Sequence, residues 1–159
     1  MRLAGNDIVD LRLAARESNW MRKGYLQKIC SEKEQLLIRE SEHANQLVWL
    51  FWSMKEAAYK IHSRKTGQRV YAPAALETTL QTLDPGYSTG LVSVENCLYF
   101  TQSEFNNEMI HSLAAQEQSL LKETEVRISL HQDGIYPDYA CTNPHSVSHH
   151  GVYLALIYL

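Results

Sequence analysis

The chain has 159 residues, of which 45% are hydrophobic and 21% are charged. This length can bury one core and is short for two ordinary domains, so we expect residues 1–159 to form a single domain. The formal net charge of −3 gives no general affinity for nucleic acid. The N-terminal residues lack a long apolar run, so neither a secretory signal nor a membrane span is predicted.

The three cysteines, Cys30, Cys97 and Cys141, are widely separated and form no Cys-x-x-Cys pattern. Unpaired thiols of this kind are typical of a reducing compartment, and their spacing argues against a structural zinc site. We therefore expect a cytoplasmic protein that does not associate with membranes.

The predicted elements begin with a short strand over residues 3–7, which ends at Asp7. A first helix is expected over 9–18. Ser31 and Glu34 then form a capping-box pattern, in which a hydroxyl residue precedes a glutamate by three positions. This pattern predicts the start of a second helix.

A long helix is predicted over 45–63, and Gly67 and Pro73 end the helical pattern. Alternating residues and turn residues then predict a series of strands, over 76–83, 90–95, 97–102, 109–116, 126–132 and 152–158. Helices that come first and neighbouring strands that come later predict an α+β fold, with helices packed on a mainly antiparallel sheet.

The long helix carries a polar face of unusual composition. Trp52, Glu56 and Lys60 are spaced four residues apart and therefore lie on one face. A second face is apolar and suits a core: Leu47, Leu50, Met54, Ala57 and Ile61. A glutamate four residues before a lysine is also an ordinary stabilising pair of an exposed helix, contributing about 0.2–0.5 kcal/mol. The helix alone leaves both interpretations open.

Asp7 is the second candidate acid, because it lies where the first strand is expected to end. Mg²⁺ binds one or two protein carboxylates and completes its octahedron with waters and phosphate oxygens. Asp7 and Glu56 could supply that pair. Asp7 could equally cap the first helix, a common use of an aspartate before a helical run.

At these residues the sequence resembles the 4′-phosphopantetheinyl transferase superfamily. Gly5 and Asp7 match its Gly-x-Asp motif, and Lys55-Glu56-Ala57-Ala58-Tyr59-Lys60 matches its Lys-Glu-Ala-x-x-Lys helix. Residues 25–34 and 146–153 are similar to two further family segments, in the same order. Because Gly-x-Asp lies at the N-terminus, the resemblance is closest to the short holo-acyl-carrier-protein synthase type.

The resemblance implies an enzyme that transfers 4′-phosphopantetheine from coenzyme A to a serine of an apo acyl or peptidyl carrier protein, releasing 3′,5′-ADP. It implies Mg²⁺ held by Asp7 and Glu56, with Lys60 steadying the phosphates. Ser148 and His149 would approach coenzyme A. The general base stays open between Glu56 and a metal-bound water, and the pathway stays open between fatty-acid biosynthesis, a part of lipid metabolism, and secondary metabolism.

The resemblance also implies partners. Carrier proteins are acidic, and Arg12 and Arg16 share one face of the first helix, where they would dock the carrier. Short family members place their site between neighbouring subunits, which implies a homo-oligomer, with a trimer favoured. A solvated charged face is the plainer interpretation of these arginines.

Two other functions stay open at this point. The chain could be a non-catalytic module of the same fold that binds coenzyme A or a carrier protein. It could also be an α+β interaction module whose helix merely carries a salt bridge, which would be indifferent to Asp7→Ala.

Several neighbouring residues are given structural interpretations instead. His145, His149 and His150 lie within six residues, but adjacent residues of a strand point to opposite sides, so we do not expect a joint metal site. Lys55 projects from another side of the helix than Glu56, so its role is structural or nucleotide-facing. Two tryptophans, Trp49 and Trp52, are expected to be core or interface aromatics.

Overall fold

The structure is a computed structural model that describes residues 1–132 and 134–159. It contains five α-helices: α1 Leu11–Glu17, α2 Tyr25–Ile29, α3 Glu32–Glu40, α4 Ala44–Thr66 and α5 Gln118–Glu123. It contains eight strands: β1 Ala4–Asp10, β2 Glu77–Asp84, β3 Tyr87–Val94, β4 Cys97–Phe105, β5 Met109–Ala115, β6 Glu125–Leu130, β7 Ser146–His150 and β8 Tyr153–Tyr158. These counts refer to the described residues. None of the helices there is long and apolar enough to cross a membrane.

The strands form two antiparallel sheets. A five-stranded sheet has the order β1-β5-β4-β3-β2, and a three-stranded sheet has the order β6-β8-β7. In the larger sheet Asp7 of β1 lies opposite Ser112 of β5. Helices packed on antiparallel sheet confirm the predicted α+β class.

The free edge of β1 faces β7, and side chains of the β7 segment take the place of a backbone ladder there. Three acceptors, each about 140 residues away along the chain, satisfy three backbone N–H groups of β1. The bonds are Ala4 N to His145 Nε2 at 3.1 Å, Ile8 N to Ser148 Oγ at 3.0 Å, and Asp10 N to His150 Nδ1 at 2.8 Å. They join the two sheets along β1, the strand that carries Asp7.

Helix α4 lies across β1 and β5 with its apolar face inward. The whole predicted stripe is buried, from Leu47 at 6% exposure to Leu50, Met54, Ala57 and Ile61 at 0%. The helix ends at Gly67, whose φ of 74° is left-handed and whose N–H donates to the Ser63 carbonyl at 2.8 Å. Glycine adopts this conformation without steric cost, so its position fixes the end of the helix.

The first strand and helix differ from the prediction in their bounds, and the alternative use of Asp7 as a helix cap is excluded. The first strand continues to Asp10, and α1 begins at Leu11, two residues after the predicted start at 9. Asp10, not Asp7, caps α1, because Asp10 Oδ1 accepts the N–H groups of Arg12 and Leu13 at 3.1 and 3.2 Å. Asp7 is held in β1 and cannot reach a helix terminus.

The other elements agree with the sequence to within a few residues, and the capping box at Ser31 and Glu34 is confirmed in both of its hydrogen bonds. Among the described α-helices and strands, α2 and α5 were not predicted, and no bounds were predicted for β7, although His149 and His150 were treated as strand residues. The first two are short, and β7 reads Ser-Val-Ser-His-His, which lacks the apolar alternation of an ordinary strand.

Candidate active site

The first acid of the candidate site, Asp7, lies between the two sheets and is only 8% exposed. Its Oδ1 accepts a hydrogen bond from Ser148 Oγ at 3.3 Å. Its Oδ2 is buried and has no hydrogen-bond partner among the described residues. Burial raises the pKa of Asp7 to about 7, with Lys60 acting in the opposite direction and the charge of Glu56 adding to the rise. Without a cation, Asp7 thus keeps its proton to a higher pH than an exposed aspartate does.

Gly5 explains how α4 comes close enough to β1 to complete this site. A Cβ on Gly5 would lie 2.4 Å from the carbonyl oxygen of Ala57, closer than real atoms approach. Glycine therefore permits the backbones of β1 and α4 to touch at this point. The same approach brings Ser53 Oγ to 3.4 Å from the Asp7 carbonyl. The glycine of the Gly-x-Asp pattern thereby has a packing role.

Glu56 and Lys60 project from α4 towards this region. Lys60 Nζ donates to the carbonyls of Asn6 at 2.6 Å and Val147 at 3.2 Å, so the ammonium bridges β1 and β7. Burial lowers the pKa of Lys60, and the charges of Asp7 and Glu56 act against that change. Burial raises the pKa of Glu56, and Lys60 lowers it. The three groups therefore form one coupled cluster.

A cleft of about 460 Å³ opens beside the two acids. One part of its wall is polar and contains both carboxylates, while aromatic and aliphatic side chains form the remainder. The lining residues are Asp7, Ile8, Val9, Ala14, Glu17, Ser18, Tyr25, Trp49, Trp52, Glu56, His149 and His150. Lys60 is not among the lining residues, but its charge acts on both acids.

A hard divalent cation fits these residues. Asp7 has an unpaired buried oxygen, as far as the described residues show, and burial raises the pKa of each acid although the charge of Lys60 acts against that rise. Within that described part no group of three or more His, Cys, Asp or Glu side chains could hold a metal ion. A cation here would have two protein carboxylates, which is the number that Mg²⁺ commonly takes.

The three histidines of the C-terminal segment have separate surroundings. His145 and His150 each accept a backbone N–H of β1, so both are anchored to the strand. His149 is exposed, lines the cleft, and lies with its ring centroid 4.8 Å from that of Tyr136. His150 also lines the cleft, although His149 and His150 were expected to point to opposite sides.

Comparison with known proteins decides the family. The family model described as the 4′-phosphopantetheinyl transferase superfamily matches residues 4–114, which include β1, α4 and most of the larger sheet. The chain belongs to this superfamily.

The fold comparison agrees with this assignment. A crystal structure of the holo-[acyl-carrier-protein] synthase of Thermotoga maritima is similar over 100% of this chain and 85% of that chain, with a TM-score of 0.53 and 11% identity. At this identity the likeness shows a shared fold. No curated protein matches the sequence significantly.

Other residues of the superfamily pattern lie away from the cleft. Lys55 is fully buried, and its Nζ contacts Glu34 Oε1 at 2.5 Å. It also donates to the carbonyls of Ile29 at 2.8 Å and Pro73 at 2.9 Å. Of the two roles that the sequence left open for Lys55, these contacts favour the structural one. Glu56, the next residue of the motif, lines the cleft, whereas Lys55 does not.

Ser148 and the two tryptophans expected in the core or an interface differ in their exposure. Ser148 is 7% exposed, and its hydroxyl donates to Asp7 Oδ1 and accepts the Ile8 N–H, so it holds the Asp7 carboxylate in place. Trp49 is a core residue at 5% exposure, whereas Trp52 is half-buried and contacts Tyr71 edge-to-face. Both tryptophans form part of the cleft wall.

The arginines expected to dock a partner are on the outer side of α1. The side chain of Arg12 is 77% exposed and pairs with Glu108 at 3.0 Å, and Arg16 is also exposed. Ala14 and Glu17 of the same helix line the cleft, whereas Arg12 and Arg16 are not among its lining residues.

Sequence reasoning missed a buried polar layer beneath the cluster. Asn6 Nδ2 donates to the Ala155 carbonyl at 3.2 Å and lies 3.2 Å from His111 Nε2. Burial, and then the charge of Lys60, lowers the pKa of His111 to about 4, so the ring is neutral. Asn6 stands inside the Gly-x-Asp pattern, but nothing in the sequence connects His111 to it.

Proposed function

We propose that this chain transfers 4′-phosphopantetheine from coenzyme A to a serine hydroxyl of an apo acyl or peptidyl carrier protein. The observation that carries the proposal is the desolvated pair of acids, Asp7 and Glu56, at the wall of one cleft and coupled to Lys60. Membership of the superfamily supports this choice of reaction. The holo-acyl-carrier-protein synthase type is the finer part of the proposal, and the shared fold supports it.

In this proposal Asp7 and Glu56 hold Mg²⁺ together. When bound, the cation would neutralise charge on the diphosphate of coenzyme A, the role that divalent metals have in phosphoryl transfer. Asp7 is suited to this because Oδ2 lacks a partner among the described residues. Ser148 holds the other oxygen, Oδ1, and so orients the carboxylate.

The reaction itself exchanges one phosphorus–oxygen bond for another. The carrier serine oxygen bonds to the phosphorus next to the pantetheine arm, the bond from that phosphorus to the bridging oxygen breaks, and 3′,5′-ADP leaves with the electron pair. The serine proton must go to a base. Glu56 is a candidate, because burial raises its pKa and makes it a stronger base than an exposed glutamate; a water at the cation is the alternative.

Lys60 contributes a positive charge that acts on both acids. Its Nζ is 2.6 Å from the Asn6 carbonyl, so in the free protein it orders the β1 backbone at the site. We propose that this charge also favours the anionic phosphates in the cleft. His149, exposed at the opposite part of the wall, would donate to phosphates of coenzyme A.

The wider parts of the proposal concern assembly and partners. We propose one domain, a cytoplasmic location and a homo-oligomer, with a trimer favoured, and docking of the acidic carrier on Arg12 and Arg16. The resemblance to short superfamily members supports the assembly, and the exposure of both arginines supports the docking. Sedimentation of the purified chain would measure the oligomeric state.

Intact-mass analysis of an apo carrier protein tests the central proposal. The chain is incubated with the carrier, coenzyme A and Mg²⁺, and parallel reactions contain Glu56→Ala or a chelator. The control variant is Glu17→Gln, since Glu17 lines the same cleft but is exposed. We expect a phosphopantetheine increment with the wild type and Glu17→Gln, lost in the other two reactions. Coenzyme A binding without an increment on several unrelated carriers would instead indicate the non-catalytic binding module.

A further inference from the structure

Tyr71 lies between the described helix α4 and the 3₁₀ turn Pro73–Ala75, in a segment that crosses back over the site face of α4. Its ring centroid is 5.7 Å from that of Trp52 and 4.8 Å from that of Tyr59. Trp52 and Tyr59 are seven residues apart, so they lie two helical turns apart on one face. The Tyr71 ring therefore covers the turn between them, and Glu56 belongs to that turn.

Both ends of this segment are fixed to the helix. Lys55 Nζ donates to the Pro73 carbonyl at 2.9 Å, two residues after Tyr71. At the other end Ser63 Oγ donates to the Gln68 carbonyl at 2.6 Å. The segment is therefore fixed at both of its ends, and the Tyr71 ring also packs against the Trp52 and Tyr59 rings of α4.

The Tyr71 hydroxyl is the unusual part of this arrangement. It is buried, and it has no hydrogen-bond partner among the described residues. A buried donor without a partner costs about 1–3 kcal/mol relative to a satisfied one. Burial raises the pKa of Tyr71 far above its usual value, and the charge of Glu56, followed by that of Asp7, adds to the rise. The phenol therefore stays protonated and can only donate to a carboxylate partner, and the helical turn that its ring covers carries Glu56.

We propose that Tyr71 is a positioning residue for Glu56, whose carboxylate it orients by donating its phenolic hydrogen when Glu56 is ionised and binds a cation. Carboxylates that hold metal ions are themselves commonly hydrogen-bonded, and loss of such a partner typically lowers metal affinity about 10–100-fold. The inference rests on the cation site of the proposed function. It assigns a role to a residue outside the motifs that define the superfamily pattern in this sequence.

Tyr71→Phe tests this inference, because it removes the hydroxyl and keeps the ring between Trp52 and Tyr59. Mg²⁺ affinity is measured by isothermal titration calorimetry, with the rise in melting temperature on adding Mg²⁺ as a second readout. Tyr59→Phe is the matched control, since its hydroxyl faces the Gln68 carbonyl at 3.5 Å on the exposed side. We expect Mg²⁺ affinity about 10–100-fold weaker for Tyr71→Phe and within about twofold of wild type for Tyr59→Phe.

The metal-free proteins supply a further criterion. Tyr71→Phe should melt at the same temperature as wild type or higher, because the hydroxyl it loses has no partner within the described residues. Unchanged Mg²⁺ affinity in Tyr71→Phe would overturn the inference, and so would an equal loss in both variants, which would indicate ring packing alone.

Failure of the inference and failure of the proposed function give different results. Suppose the wild type binds Mg²⁺, Tyr71→Phe binds it more weakly, and no carrier is modified. This result would support the role of Tyr71 and contradict the transferase. If the wild type transfers phosphopantetheine but Tyr71→Phe binds Mg²⁺ as tightly as the wild type does, the transferase is supported and the role of Tyr71 is contradicted. A wild-type chain that binds no Mg²⁺ would contradict both.

Discussion

Ser148 Oγ of β7 donates to Asp7 Oδ1 at 3.3 Å, across 141 residues of sequence, and accepts the N–H of Ile8 at 3.0 Å. One hydroxyl thus satisfies the β1 backbone and orients the acid beside it. Since Ser148 is 7% exposed, water has little access to replace either bond. The relationship shows how β7, a short polar strand, supports the site.

We expect Ser148→Ala to destabilise the protein by about 1–3 kcal/mol, the cost of leaving a buried donor unpaired. Ser146→Ala is the control, because Ser146 Oγ is equally buried and has no partner among the described residues. That variant should lose less than about 1 kcal/mol. Urea unfolding of the three proteins measures the difference, and equal losses would show that the Ser148 bonds are not what holds β1 to β7.

Asp7 should make the metal-free protein less stable as the pH rises. Its pKa increases from 3.8 in the unfolded reference to about 7 in the fold, so between these values the folded chain holds a proton that the unfolded chain has lost. The free energy of unfolding then decreases with rising pH across that window. Asp7→Asn should remove this slope and be the more stable protein at pH 8, which thermal melts without metal can measure.

Mg²⁺ provides the complementary half of that experiment. Cation binding requires the ionised carboxylate, so Mg²⁺ should stabilise the wild type increasingly as the pH rises through about 7. Asp7→Asn should show little stabilisation at any pH, while Glu17→Gln, which alters an exposed carboxylate of the same cleft, should behave as wild type. Equal stabilisation of all three proteins would place the cation elsewhere.

Lys60 should set the pH range in which the pair of acids is ionised. Its charge lowers the pKa of both Asp7 and Glu56, so Lys60→Gln should raise both pKa values and move the acidic limb of the pH–rate profile upwards. A smaller fraction of the acids is then ionised at pH 7, so we expect transfer at pH 7 to decrease and to recover as the pH rises. Lys65→Gln, at the exposed end of α4, is the control, and an unshifted profile in Lys60→Gln would contradict the coupling.

Much of this fold could be predicted because its periodicities are local. The α4 stripe from Leu47 to Ile61 repeats at helical spacing, and Pro85 and Gly86 lie at the turn between β2 and β3. The two candidate acids, Asp7 and Glu56, could also be predicted, since each belongs to a short sequence motif. Their place in one cleft depends on the approach of α4 to β1 at Gly5, which is a relation between distant segments.

The remaining features depend on contacts that a local pattern does not encode. Strand β7 is stabilised by side chains that bond to the β1 backbone, so its sequence is polar where a strand is usually apolar. Tyr71 lies in a segment without regular structure, and only its contacts with Trp52 and Tyr59 place it at the site. The partner of Lys55 is Glu34 of α3, which spacing along α4 cannot reveal.

Lys55 allows stability to be separated from chemistry within one motif. Both side chains of the Lys55–Glu34 pair are 0% exposed, and breaking one partner of a buried pair costs about 3–5 kcal/mol because the other charge is left uncompensated. Lys55→Met should therefore unfold at much lower urea concentration, yet keep its transfer activity per folded molecule. Arg127→Met, which breaks a pair whose side chains are 59% and 58% exposed, should unfold at nearly the same urea concentration as the wild type, because water screens the pair. Loss of activity in folded Lys55→Met would instead assign the lysine to the reaction.

Charge reversal at α1 tests the proposed docking of the carrier. Arg12 and Arg16 are exposed on α1, the helix whose Ala14 and Glu17 line the cleft, and exposed charges mainly change the association rate. A variant with both arginines replaced, Arg12→Glu and Arg16→Glu, should raise the KM for the carrier about tenfold or more at low salt, with kcat nearly unchanged.

Salt and a distant arginine distinguish docking from net charge. The effect of the double variant should shrink as the ionic strength rises, since the Debye length falls to about 8 Å at 0.15 M. Arg127→Glu is the control, because Arg127 is on β6, is 59% exposed and does not line the cleft. A carrier KM that rises equally in Arg127→Glu would attribute the effect to overall charge, whereas a rise confined to the α1 variant would locate the carrier at the first helix.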